Sequence, residues 1–142
     1  MTTTLHSLIT GVITAVVLAL PAGADATSRG GASGAQPPRT HQTYTKTNPL
    51  TGEIYSGRTS GTGTPARNLA QRDAAHPWTA RGFGPATLDR SSPNRDAIRG
   101  REQQLIEHYR ATGRAADQIN GVSPRNPKRD HYMHEAGKEF PK

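Results

Sequence analysis

The stretch Tyr44-Thr-Lys-Thr-Asn-Pro-Leu-Thr-Gly-Glu-Ile-Tyr55-Ser-Gly-Arg-Thr59 holds two Thr- and Tyr-rich runs on either side of a Pro/Gly reversal. Thr, Tyr and Ile favour pleated backbone, whereas Asn48-Pro49-Leu50-Thr51-Gly52 supplies turn residues. The pattern predicts a β-hairpin with arms over Gln42–Thr47 and Glu53–Thr59, one tyrosine on each. Downstream, Thr64-Pro65 marks the N-terminus of a short helix reaching about Ala75, which Pro77 ends by disfavouring helical geometry at His76. A third short strand is predicted over Gly82–Leu88, although Pro85 interrupts it. Ser92-Pro93 opens the longest helix, which runs to Thr112 and stops at Gly113. Pro127–Lys138 reads as a final helix. The expected fold is α+β: a small antiparallel sheet of about three strands flanked by helices.

The 142 residues leave room for one such domain and a leader. Only 32% are hydrophobic and 5% aromatic, so part of the chain is expected to lack a core. Residues 27–41 are mostly Ser, Gly, Ala, Gln and Pro with almost no large apolar side chain, and read as a disordered linker. Residues 1–26 resemble a signal peptide, with an apolar run from Leu8 to Leu20 and small-residue sites at Ala22-Gly-Ala24 and Ala24-Asp-Ala26. The leader is atypical because Met1–Ser7 has no Lys or Arg, and an apolar remnant of a longer parent protein is the rival reading. These thirteen residues, apolar apart from Thr10, Gly11 and Thr14, fall short of a membrane span, which needs about 20. The expectation is a secreted protein whose domain fills residues 42–142. There is no cysteine, which excludes disulfides and thiolate metal sites. The net charge is +7, and because Arg29, Arg39 and Asp25 give residues 1–41 a balance of +1, the domain itself carries +6. Such a charge favours anionic partners, nucleic acid first and a membrane surface second.

At about 100° per residue, Leu105, Ile106 and Tyr109 share a stripe of the long helix with Ile98, and Glu102 falls in its middle. A carboxylate facing the core is costly unless paired or bound to metal. An ion pair with an arginine is therefore one expectation and a metal site the other. On the short helix Arg72 and His76 lie one turn apart beside Leu69, whereas Arg67 points the opposite way.

Tyr44, Tyr55-Ser56-Gly57, Arg72, His76, Arg101-Glu102 and Asn120-Gly121 occur in the order of a GIY-YIG nuclease domain. The chain resembles the compact versions carried as C-terminal toxin domains of bacterial secreted proteins, over about Gln42 to Phe140. It departs from them where Gln42-Thr43 replaces Gly-Ile and Ser56 replaces the middle Ile of the second motif. The resemblance implies a metal-dependent endonuclease acting on nucleic acid, DNA ahead of RNA. Glu102 would hold one Mg²⁺ or Mn²⁺, and Tyr44 would be the general base, its phenol acidified by nearby cations. Tyr55 would help activate the water or hold the phosphate, Arg72 would clamp the phosphate, and His76 would orient a tyrosine or relay its proton. Asn120, Ser123 and Asn126 compete for the family asparagine. Arg58, Asn120, Arg125, Lys128 and Arg129 are the expected nucleic-acid contacts. A toxin of this kind would need an acidic immunity protein in its producer.

Asp130-His131-Tyr-Met-His134-Glu135 could also hold a transition metal, but matches no recognised zinc-helix pattern. The alternative to an enzyme is a secreted basic nucleic-acid-binding module whose tyrosines are structural.

Overall fold

A computed structural model describes residues 37–116 and 118–141. The leader, most of the predicted linker, and Asp117 and Lys142 lie outside the described residues. Strand β1 (Thr40–Thr47) and strand β2 (Ile54–Gly61) form the hairpin, followed by helix α1 (Pro65–Ala74) and a 3₁₀ turn at Thr79–Arg81. Strand β3 (Thr87–Ser92), helix α2 (Arg95–Ala111) and helix α3 (Arg129–Glu139) complete the order. The three strands make one antiparallel sheet in the order β2-β1-β3, so β1 is central and the domain is α+β. No described helix is long and apolar enough to cross a membrane.

The hairpin turns where the sequence places it. Asn48 Oδ1 accepts from the Leu50 amide at 2.9 Å, and Gly52 sits at φ 74°, a left-handed conformation that suits glycine. Thr40 and His41, the last residues of the predicted linker, are the first two of β1. Thr64 caps α1 through its side chain, which accepts from the Arg67 amide, with Pro65 in the first turn.

The third strand lies later than predicted. Gly82–Ala86 is irregular, with Gly82 at φ 85° and the Gly84 amide donating to Thr47 O at 2.9 Å. The strand is instead Thr-Leu-Asp-Arg-Ser-Ser, which offers no apolar alternation to read. Its backbone pairing with β1 is interrupted by a bulge opposite Thr43/Tyr44, and the extra residue is Asp89. Asp89 accepts from Thr43 Oγ1 at 2.8 Å and takes both Arg101 Nε and Nη2 at 2.9 Å, locking β3 and β1 to α2. Ser92 closes β3, and Asn94 is the true cap of α2, accepting from the Asp96 and Ala97 amides.

The sheet is covered on both faces. Gln42, Tyr44 and Lys46 alternate along β1 toward α1, where they meet Asn68, Arg72 and Asp73 respectively. Thr43 and its register partner Arg58 point to the other face, toward α2. Ile98, Leu105, Ile106, Val122 and Tyr132 are buried where α2 packs against the sheet on one side and α3 on the other. The helices meet at Gly100, where a Cβ would stand 1.9 Å from the Tyr132 carbonyl oxygen. The outer edge of β2 is completed by a different segment. Ile54 exchanges backbone bonds with Arg114 and Ala116, and the Gln118 amide group bonds both the N–H (3.0 Å) and the C=O (3.1 Å) of Ser56.

Candidate active site

Tyr44 is fully buried at the centre of the sheet face that α1 covers. Its Oη accepts from Arg72 Nε at 3.2 Å and lies 2.8 Å from His76 Nε2. His76 reaches this position because the chain leaves α1 at Ala75 and turns inward before Pro77, burying the ring. The Trp78 amide donates to His76 Nδ1 at 3.3 Å, which assigns the ring proton of neutral His76 to Nε2 and aims it at Tyr44 Oη. Burial first, then the charges of Arg72 and Lys46, lower the His76 pKa and keep the ring neutral. Two N–H donors thus converge on one phenol oxygen, a geometry that favours developing negative charge there.

Tyr55 is half-buried beside this pair, its ring centroid 6.3 Å from Tyr44 and 5.1 Å from His76. Gly57, the register partner of Tyr44, makes room for both. A Cβ there would fall 2.7 Å from Tyr44 Oη and 2.8 Å from the Tyr55 ring. Trp78 stacks on the far side of Tyr55 at 5.0 Å and meets Phe83 edge-on at 4.8 Å. Sequence reasoning passed over Trp78 and Phe83, though the one Trp and two Phe of an aromatic-poor chain were a signal. It also passed over Lys46, which is 1% exposed and ion-paired with Asp73 beneath the same aromatic row.

Glu102 comes from the opposite side. It is 8% exposed, and its Oε2 takes an ion pair from Arg58 Nη1, the bland alternative raised by the helical wheel. Burial pushes the Glu102 carboxyl up, and the charges of Arg58 and Arg99 only partly offset it. Gly121 lies against the carboxylate, with room for no side chain: a Cβ would be 2.6 Å from Oε2. Around it is a cleft of about 270 Å³ lined by Tyr55, Ser56, Arg58, Glu102, Gln118 and Asn120 among others. Ser56 Oγ is buried in this wall with no hydrogen-bond partner among the described residues.

The two halves sense each other at the edge of β2. The Glu102 charge is among the causes that keep both tyrosines protonated. Tyr44 departs from the expectation of an acidified phenol. Burial pushes it up to about 12, and the hydrogen bond and charge of Arg72 do not overcome that. Tyr55 is likewise raised, by burial and then by Glu102.

The other expected residues are more dispersed. Asn120 lines the cleft, its Oδ1 accepting from Arg110 and from Gln103 Nε2 at 3.4 Å. Ser123 and Asn126 instead bond the Arg125 and Lys128 amides in the turn before α3, which leaves Asn120 as the asparagine at the cleft. Arg125 and Lys128 are exposed on that turn, away from the cleft lining. Arg129, expected on nucleic acid, ties α3 to α2 by donating to Val122 O at 2.6 Å and pairing with Glu107. Arg58, expected on phosphate, is held by Glu102. His131 pairs with Asp96 and Glu135 accepts from Asn94, and no group of three metal-ligating side chains occurs among the described residues.

A hard cation would find oxygen donors in the cleft from Glu102 and from the Ser56 hydroxyl, which has no partner among the described residues, once Arg58 gave up Oε2 to it. A single carboxylate fits Mg²⁺ or Mn²⁺, which retain water and substrate oxygens as ligands. Comparison with known proteins gives no match to a family model, to a curated protein or to a solved structure.

Proposed function

We propose that the domain is a metal-dependent endonuclease of GIY-YIG type that hydrolyses phosphodiester bonds in nucleic acid. The observation that carries this reading is the convergence of Arg72 and His76 on Tyr44 Oη, with Tyr55 alongside and buried Glu102 within electrostatic reach. Structural tyrosines do not require two N–H donors on one buried oxygen, nor a carboxylate retained against its burial cost.

Hydrolysis adds a water oxygen to phosphorus and expels an alkoxide, which takes a proton from solvent, just as Tyr44 must first give its own proton to solvent to act as base. Arg72, exposed apart from its Nε contact, presents its remaining N–H donors to a phosphate. Tyr44, as phenolate, takes the proton of the attacking water, and the Arg72 and His76 donors hold the charge of that form. Tyr55, beside Tyr44, would bond the same water or the phosphate. Glu102 and Ser56 would hold the divalent ion, which when bound supplies positive charge and polarised water to the cleft. On this reading the protein is a secreted toxin, with an acidic immunity protein as its partner.

Supercoiled DNA incubated with Mg²⁺ tests the proposal. Wild type should nick it, and Tyr44→Phe and Glu102→Gln should each lose at least about a hundredfold in rate. Glu102→Gln should keep or raise the thermal midpoint, since it removes a charge that burial disfavours, so lost nicking will not reflect lost folding. Nicking by both variants at wild-type rates would refute the site. Binding without nicking by wild type would favour the non-catalytic binding module.

A further inference from the structure

A second cavity, of about 540 Å³, opens between the start of β1, the end of β2 and the first half of α2. Its walls carry Arg39, His41, Arg58, Arg95 and Arg99, with Ile98 among the lining residues and no carboxylate among them. Among the described residues Arg58, Arg101 and Arg129 are each held in an ion pair, whereas no ion pair engages Arg39, Arg95 or Arg99. Among the described residues Arg39 reaches only the Ser60 hydroxyl, at 3.0 Å. Arg99 is steadied by the Tyr132 ring, 4.9 Å from its guanidinium carbon, while its Nε is buried without a partner among the described residues. Such a concentration of like charge repels itself unless an anion joins it. His41 registers the field: burial first, then Arg95 and Arg39, lower its pKa.

The placement of these charges has a direction. Arg95, Ile98, Arg99 and Glu102 fall at i, i+3, i+4 and i+7 of α2, hence along one helix face. Arg58 lines both this groove and the Glu102 cleft, so the two cavities meet at its side chain. Arg95 lies about 10 Å from Glu102 along the helix, seven residues at about 1.5 Å each.

We propose that the groove of Arg39, Arg95 and Arg99 binds the phosphodiester backbone of a nucleic-acid strand and leads it past Arg58 into the Glu102 cleft. The assignment rests on nucleic acid being the ligand, and it holds whether or not the strand is then hydrolysed. It places the main backbone contacts on the sheet-facing side of α2 rather than on Arg125, Lys128 and Arg129.

Fluorescence anisotropy with labelled single-stranded DNA, duplex DNA and RNA, in EDTA and over a range of salt concentrations, reads binding apart from cleavage. Arg39 and Arg95 are both exposed, so the double variant Arg39→Gln/Arg95→Gln should retain the wild-type thermal midpoint. It should bind more weakly, and the slope of log affinity against log salt should shrink by about two, one for each phosphate no longer neutralised. Arg125→Gln/Lys128→Gln should change the slope by less. Wild-type affinity and slope in the groove variant would overturn the proposal, even if Glu102→Gln abolishes nicking and the nuclease reading stands. Equal losses in the two double variants would also overturn it, since binding would then be spread over the surface. Failure of wild type to bind any of the three would overturn both readings. The groove is supported, and hydrolysis refuted, if the groove variant loses its slope while wild type binds but never nicks.

Discussion

Tyr44 occupies an environment in which two tendencies compete: burial holds its proton, and the N–H donors of Arg72 and His76 favour its loss. Burial wins in the free protein, where the pKa is pushed up to about 12. Being raised, that value makes Tyr44 stabilise the fold below pH 10, a contribution lost as the pH climbs through about 12. For catalysis the sign is reversed, because only the phenolate accepts a proton. If Tyr44 is the base, kcat/KM for nicking should rise about tenfold per pH unit between about pH 7 and 9, and Tyr44→Phe should show no such limb. A wild-type profile that is flat across this range would assign the base elsewhere. The residues of this cluster were legible because helical geometry turned Arg72 and Glu102 inward and the tyrosines stood out in an aromatic-poor chain. The partner of Glu102 was not, since Arg58 lies 44 residues away and nothing local connects them.

At the scale of the element, α2 has the most demands placed on it. Asp89 grips it through Arg101, Arg58 meets it at Glu102, Val122 bonds it through Gln103 Oε1 at 3.0 Å, and α3 packs on Gly100. Gly100→Ala sets two effects against each other. Alanine improves helix propensity by about 1 kcal/mol, whereas forcing a methyl against the Tyr132 carbonyl costs about 1–3 kcal/mol or more. With only 1.9 Å available to that Cβ and backbone on the other side, the second effect should prevail and the thermal midpoint should fall. An unchanged or higher midpoint in a melting experiment would show that α3 slides freely. The helices and hairpin were readable because caps, turn residues and a 3.6-residue period are local. Strand β3 was not, because Thr87–Ser92 is polar and is held by β1, more than forty residues earlier in the chain.

Across the whole molecule, the titrating groups act in opposite directions. His41 and His76 are lowered below 6.5, so their contribution is complete above that pH and is lost as the pH falls through the folded values. Asp73 and Asp89 follow the same rule below 3.8: burial opposes their ionisation, but the Lys46, Arg101 and Thr43 hydrogen bonds outweigh it. Glu102, raised above 4.5, does the reverse and destabilises as the pH rises through its folded value. Melting curves from pH 8 to about 3 should therefore show a first decline beginning near 6.5 and a steeper one below about 3.8. A midpoint that stays constant to pH 4 in the Glu102→Gln variant, where the opposing carboxyl is gone, would mean that the histidines are not coupled to folding. The segment that closes β2 has a different kind of consequence. Arg114, Ala116 and the Gln118 amide occupy hydrogen-bonding positions that another copy of the chain would otherwise find open. A proteolytic cut that frees this segment should lead to aggregation as well as loss of a cleft wall, so solubility on storage becomes a sensor of whether the domain is intact.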